Sequence, residues 1–216
     1  MSSLAVPERH VSDPRADQLR ERYFSSYTGD PVPVPVESIA EDLLGLSIER
    51  SWDLQYSGVL LPEERTIVLN AREDHRNQAP LRRYRFTIAH EVGHWICHCL
   101  GGVPQAIYCR TVHANPDEGV GREREADRFA ATLLMPEPAV REAWAPVAEE
   151  LAPTLECMAQ RSTATRLQRE EWRQLVLHKH ERATRRLAAT LDVSPTAMHW
   201  RLVNLGLIPR PHGIRR

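Results

Sequence analysis

Ile88-Ala89-His90-Glu91-Val92-Gly93-His94-Trp95-Ile96-Cys97-His98-Cys99 is the stretch from which the rest of the chain is read. From Pro80 to about Cys99 the apolar residues recur with helical spacing. Positions four apart on a helix differ by about 40° of azimuth, so His90 and His94 point into one hemisphere. Ile88, Val92, Trp95 and Cys99 form an apolar stripe nearly opposite them. Gly93 leaves space beside the histidines. Two imidazoles held this way can bind zinc at roughly 2.0–2.1 Å, with the intervening Glu91 aimed as a general base. The competing reading is a helix whose histidines only hydrogen-bond or face solvent.

A catalytic zinc needs a third protein ligand and an open fourth position. The run Glu123-Arg124-Glu125-Ala126-Asp127-Arg128-Phe129-Ala130-Ala131-Thr132-Leu133-Leu134-Met135 offers Glu123 and Glu125. Glu123, Asp127, Ala130 and Leu134 share one stripe, whereas Glu125 lies opposite with Arg128 and Thr132, on what reads as a solvated face. Glu123 is therefore the expected third ligand. Asp127, one turn later, is expected to accept a histidine N–H and fix that ring's tautomer.

Outward from these segments, Asp17 to Tyr27 reads as a helix, and Pro31-Val32-Pro33-Val34-Pro35 as an extended connector. Val36 to Leu44 reads as a second helix, closed by Gly45. Leu46 to Arg50 reads as a strand, and Ser57 to Leu61 with Thr66 to Asn70 as a hairpin. A helix from about Gly121 to Met135 ends at Pro136. The remainder is mostly helical, with a boundary expected in the stretch Pro136 to Pro153. In sum, the expectation is an α+β fold: a small twisted sheet, the His90–His94 helix, a second ligand helix and a helical C-terminal extension.

The 216 residues carry a formal net charge of -1, from 28 Lys+Arg against 29 Asp+Glu. This excludes a globally basic nucleic-acid coat, though not a local basic patch. No apolar run approaches the ~18 residues of a membrane span. Met1 to Val11 has no signal-peptide h-region, so a cytoplasmic location and no membrane association are expected. The four cysteines then read as reduced thiols.

Taken with Pro136, the two motifs at 90–94 and 123–135 resemble the ImmA/IrrE family of zinc metallopeptidases. Leu187-Ala188-Ala189-Thr190-Leu191-Asp192-Val193-Ser194-Pro195, Arg201-Leu202-Val203-Asn204-Leu205-Gly206-Leu207-Ile208 and the hairpin ending in Asn70 are similar to that family too. The resemblance covers roughly residues 35–140 and 183–209. It implies a gluzincin-like site with one Zn2+ per chain on His90, His94 and Glu123, and Glu91 as general base. It also implies a protein substrate among the helix-turn-helix transcriptional repressors of phage, mobile elements or stress regulons. Asp127 stands where that family more often has Asn, which keeps an acceptor and adds one negative charge. The stretch from about Ala143 to Lys179 has no counterpart in the resemblance. The chain accordingly divides into a metallopeptidase-like unit over 1–143 and a helical extension over 144–216, helix-turn-helix-like at about 183–208.

Hydrolysis also needs an oxyanion donor, and Tyr56, Tyr84, Tyr108 and His113 are candidates that sequence does not rank. The hairpin is expected to offer an edge strand for an extended substrate. Cys97, His98, Cys99, Cys109 and His113 could form a second zinc site. However, Cys97 and Cys99 diverge by about 200° on a helix, which favours buried thiols. Ser194 as N-cap and Pro195 at the first helical position start the last helix. Arg182, Arg185, Arg186, Arg201, Arg210, Arg215 and Arg216 give the tail a basic bias. Pro195-Thr196-Ala197 offers little to read bases, so packing or substrate docking is preferred to DNA binding. Two other function classes compete with the peptidase: a DNA-binding regulator with structural zinc, and a protein that sequesters a repressor without cutting it.

Overall fold

A computed structural model describes residues 12–72, 80–99, 107–108, 116–160 and 165–209. The fold is α+β. Helix α1 (Pro14–Ser26) is capped by Asp13, whose side chain accepts from the Arg15 amide, and has proline at its first position. Helix α2 (Val36–Ser38) runs into a π-helical turn, Ile39–Leu43, and Gly45 closes it in a left-handed conformation with φ +64°. Strands β1 (Ser47–Ser51), β2 (Gly58–Leu61), β3 (Thr66–Asn70) and β4 (Ile107–Tyr108) follow. Helix α3 (Pro80–His94) extends into a π-helical turn, Trp95–Cys99. Helices α4 (Pro116–Leu134), α5 (Glu137–Gln160), α6 (Arg166–Thr190) and α7 (Pro195–Asn204) complete the chain.

The sheet order is β1-β3-β2-β4, with β1 parallel to β3 and the other two pairings antiparallel. Arg65, with φ 51°, turns the β2–β3 hairpin, and its guanidinium donates to the Leu44 and Gly45 carbonyls. That guanidinium also lies 5.2 Å from the centre of the Trp95 ring, tying the hairpin turn to the end of α3. The hairpin does not supply an edge strand, contrary to expectation. On its free side β4 pairs Val59 with Tyr108 and Leu60 with Ile107.

One apolar cluster joins the sheet (Leu60, Ile67, Leu69), α3 (Ile88, Val92), α4 (Phe129, Leu133, Leu134) and the C-terminal helices (Leu187, Met198, Leu202). The predicted stripe on α3 is the face that faces this core: Ile88, Val92 and Cys99 are buried, and Trp95 is half-buried. The proline-bearing stretch is helical from Glu137 on, because α5 runs through Pro146 and Pro153. Each proline removes one helical hydrogen bond, and the carbonyls released, on Glu142 and Glu149, belong to exposed residues that water can satisfy.

The α6–α7 pair forms as read, with Ser194 Oγ accepting from the Ala197 amide at 3.1 Å. It docks by charge onto α3. Asp192, at the turn, meets Arg82 at 3.0 Å and Arg85 at 3.4 Å. Arg201 is 3% exposed and donates to the Met135 carbonyl and to Ser12 Oγ. Burial pushes its guanidinium down to about 10, which still leaves it charged at neutral pH. Arg201 therefore secures packing and is withdrawn from the basic surface attributed to the tail. Arg210, Arg215 and Arg216 lie outside the described residues. No helix among the described residues is long and apolar enough to cross a membrane.

Candidate metal centre

Helices α3 and α4 cross at Gly93, and the contact decides the site. A Cβ on Gly93 would lie 3.2 Å from the Ala126 Cα, the Ala126 carbonyl oxygen and Phe129 Cδ1. The missing side chain lets the α4 backbone lie directly on α3. Glu123, one turn before Ala126, then reaches both histidines. Its Oε2 lies 3.3 Å from His90 Nε2 and its Oε1 lies 3.2 Å from His94 Nε2, while the two Nε2 atoms are 3.0 Å apart.

These three residues, from two helices, form a group able to hold a metal ion. Tetrahedral ligation at about 2.05 Å separates ligand atoms by roughly 3.3 Å, and each imidazole Nε2 stands near that distance from one of the two Glu123 oxygens. The chemistry of the donors agrees. Asp127 Oδ1 lies 3.0 Å from His90 Nδ1, and a carboxylate only accepts, so Nδ1 donates and the Nε2 that faces Glu123 is the nitrogen left for a metal. This is the contact expected of Asp127. Burial alone would raise the Glu123 carboxyl, but the two imidazoles hold it far below the usual carboxylate range. It is anionic at any physiological pH.

Glu91 lies on α3 between the two histidines and is fully buried. The start of β2 comes down on it: a Cβ on Gly58 would be 2.4 Å from Thr87 Cγ2 and 3.3 Å from Glu91 Oε1. Only glycine lets the strand approach this carboxyl. Asn70 fixes the loop before Gly58, since its Nδ2 donates to the Leu54 and Tyr56 carbonyls at 2.9 Å. Of the oxyanion candidates, Tyr84 is buried and donates its hydroxyl to the Asn70 carbonyl, so it is a brace for that strand end. His113 and the Tyr108 side chain lie outside the described residues.

Glu125 departs from its expected solvated face. It accepts from Arg15 at 2.6 Å and from His98 Nε2 at 3.1 Å. Thr132, on the same side of α4, is fully buried under the Asp13 amide. The sequence reading missed His98 and Glu125 as neighbours of the metal site. The signal was present as a third histidine four residues after His94.

Asp13, Cys97 and Glu125 form a second group of ligand-type atoms, and no such group among the described residues contains both Cys97 and Cys99. Arg15 holds that position: it bonds Asp13 at 2.7 Å and 3.0 Å as well as Glu125. Burial pushes the Cys97 thiol up to about 12, so it stays protonated beside these anions. The cluster is an ion-pair network around Arg15. Cys109 lies outside the described residues.

Burial pushes both His94 and His98 below the ordinary 6.5. A folded-state histidine pKa below the unfolded value gives stability that is full above about 6.5 and is lost as pH falls through the folded value. The zinc-free chain is therefore expected to melt at lower temperature at pH 5 than at pH 7. A melting temperature that rises on acidification would contradict the burial assigned to these rings.

A family model described as peptidase M78, IrrE N-terminal-like domain, matches residues 48–202, from β1 through most of α7. No curated protein matches the sequence. The matched segment holds His90, Glu91, His94, Glu123 and Asp127 in the arrangement above, and the chain belongs to the peptidase M78, IrrE N-terminal-like family.

Proposed function

We propose that the chain is a zinc-dependent endopeptidase that cleaves a helix-turn-helix transcriptional repressor at a restricted site, with His90, His94 and Glu123 as zinc ligands and Glu91 as general base. The observation that carries this reading is Glu91. A metal held only for structure has no use for Glu91, whereas a buried carboxyl on the same helix, between the two histidines and under the β2 entrance, supplies what hydrolysis needs in addition.

Bound at this triad, zinc would act as a Lewis acid and bring the pKa of a coordinated water toward ~7. Glu91 accepts the proton of the attacking water as its oxygen bonds to the scissile carbonyl carbon, then delivers that proton to the amine as the C–N bond breaks. Asp127 keeps His90 Nδ1 protonated, which presents its Nε2 lone pair to the ion. Exclusion of bulk water around Glu91 by β2 strengthens each of these electrostatic contacts.

The buried face of α7 (Met198, Arg201, Leu202, Val203) supports the α6–α7 pair as a packed part of the enzyme in preference to a DNA reader. The reading places the enzyme in the cytoplasm, acting on a soluble protein. Its test is co-incubation of a repressor encoded beside the gene with wild type and with Glu91→Gln, read by intact-mass spectrometry. Two fragments whose masses sum to the repressor plus one water, from wild type alone, are expected. An intact repressor held in a stable complex by both proteins would replace cleavage by sequestration.

A further inference from the structure

We infer that His98, Glu125 and Arg15 form a positioning chain that holds His94 in the tautomer a metal ligand needs, so that helix α1 is part of the metal centre. This rests on His90, His94 and Glu123 being metal ligands, as proposed above. The direction of each hydrogen bond follows from its acceptor. Glu125 is a carboxylate and only accepts, so His98 Nε2 donates across their 3.1 Å contact. Neutral His98 then has a lone pair on Nδ1. That atom lies 3.0 Å from His94 Nδ1, so His94 donates there and turns its Nε2 lone pair toward Glu123 and His90.

Beyond Glu125 the chain continues without a break. Arg15 bonds Glu125 and Asp13, and the Asp13 amide donates to Thr132 Oγ1 at 3.1 Å, back on α4. Each histidine ligand thus has its own carboxylate, directly for His90 and through a second imidazole for His94. The two arms differ in exposure. The Asp127 side chain is 62% exposed, whereas those of His98 and Glu125 are 8% and 32% exposed, Arg15 is 36% exposed and Asp13 is 1% exposed. The arm through His98 is the less screened of the two. Its far end, Asp13 and Arg15, precedes the segment matched by the family, which begins at residue 48.

The test measures zinc affinity of the full chain by competition with a chromogenic chelator, together with the visible spectrum of the Co2+-substituted protein. His98→Phe keeps a ring and removes the acceptor; His98→Asn restores an acceptor near the position of Nδ1. His98→Phe is expected to weaken zinc by about 10–100-fold and to shift the Co2+ bands, with His98→Asn recovering most of both. Adding Glu125→Ala to His98→Phe should cost little more, since the chain is already cut. Zinc affinity within about twofold of wild type and an unchanged Co2+ spectrum in His98→Phe would overturn the chain. Wild type that binds no zinc, or His90→Ala that binds it as tightly, would overturn the ligand assignment itself. Should His98→Phe fail to fold, long-range 1H–15N spectra of the zinc-loaded wild type decide. His94 protonated on Nδ1 and His98 on Nε2 are expected, and the reverse tautomers would refute the chain.

Discussion

Glu91→Gln is expected to lower the rate of peptide hydrolysis by about 10²–10⁴-fold, the range for loss of a positioned general base. Zinc should remain bound one per chain. Glutamine has the shape of glutamate, so the fully buried position between His90 and His94 is filled without a cavity, and none of the atoms in the triad is changed. What disappears is the ability to take a proton from water and return it to the leaving amine. The comparison is made with kcat on a cleaved protein and with metal content on the same preparation. Loss of both activity and zinc would mean that Glu91 supports the metal and would count against its role as base.

Gly93→Val should cost about 1–3 kcal/mol and weaken zinc binding in the same molecule. The new Cβ meets α4 backbone atoms at 3.2 Å, which a rotamer change cannot move aside. Relief requires the two helices to separate, and Glu123 travels with α4 away from His90 and His94. Gly121→Ala is the control, because on α4, two residues before Glu123, its Cβ would meet nothing within 4 Å. It should raise stability by about 0.5–1 kcal/mol through helix propensity alone, with zinc affinity unchanged. Urea denaturation and chelator competition measure both effects.

The azimuths of two helices were enough to bring His90, His94 and Glu123 together. Four-residue spacing set His90 beside His94, and the stripe through Glu123 and Asp127 set both toward them, because α3 and this part of α4 are regular helices on which side-chain direction follows from position. The same argument failed for Glu125, since the face opposite a ligand stripe is solvated only if nothing else covers it. Asp13 and Arg15 of a distant helix do cover it, and residue spacing on α4 carries no trace of that contact.

Gly93 was read as leaving room beside the metal face, and its effect is the helix crossing that brings Glu123 in. That distinction needs two helices, and the spacing within one cannot show it. The π-helical turn Trp95–Cys99 was likewise invisible. A turn closed by i→i+5 bonds rotates each residue by less than the roughly 100° of an α-helix, so azimuths after His94 drift from those a straight helix assigns. The strands were legible from their β-branched runs, while β4, two residues long, had no pattern to read and yet covers the expected edge.

The most direct measurement is the metal content of the purified full chain after exposure to excess zinc and removal of loosely bound ion, for wild type, His90→Ala and Glu123→Ala. One zinc per wild-type chain and less than about a tenth of that in either variant, with folding retained by circular dichroism, is the predicted result. Zinc held equally by all three proteins would contradict the assignment of His90, His94 and Glu123 as the metal centre.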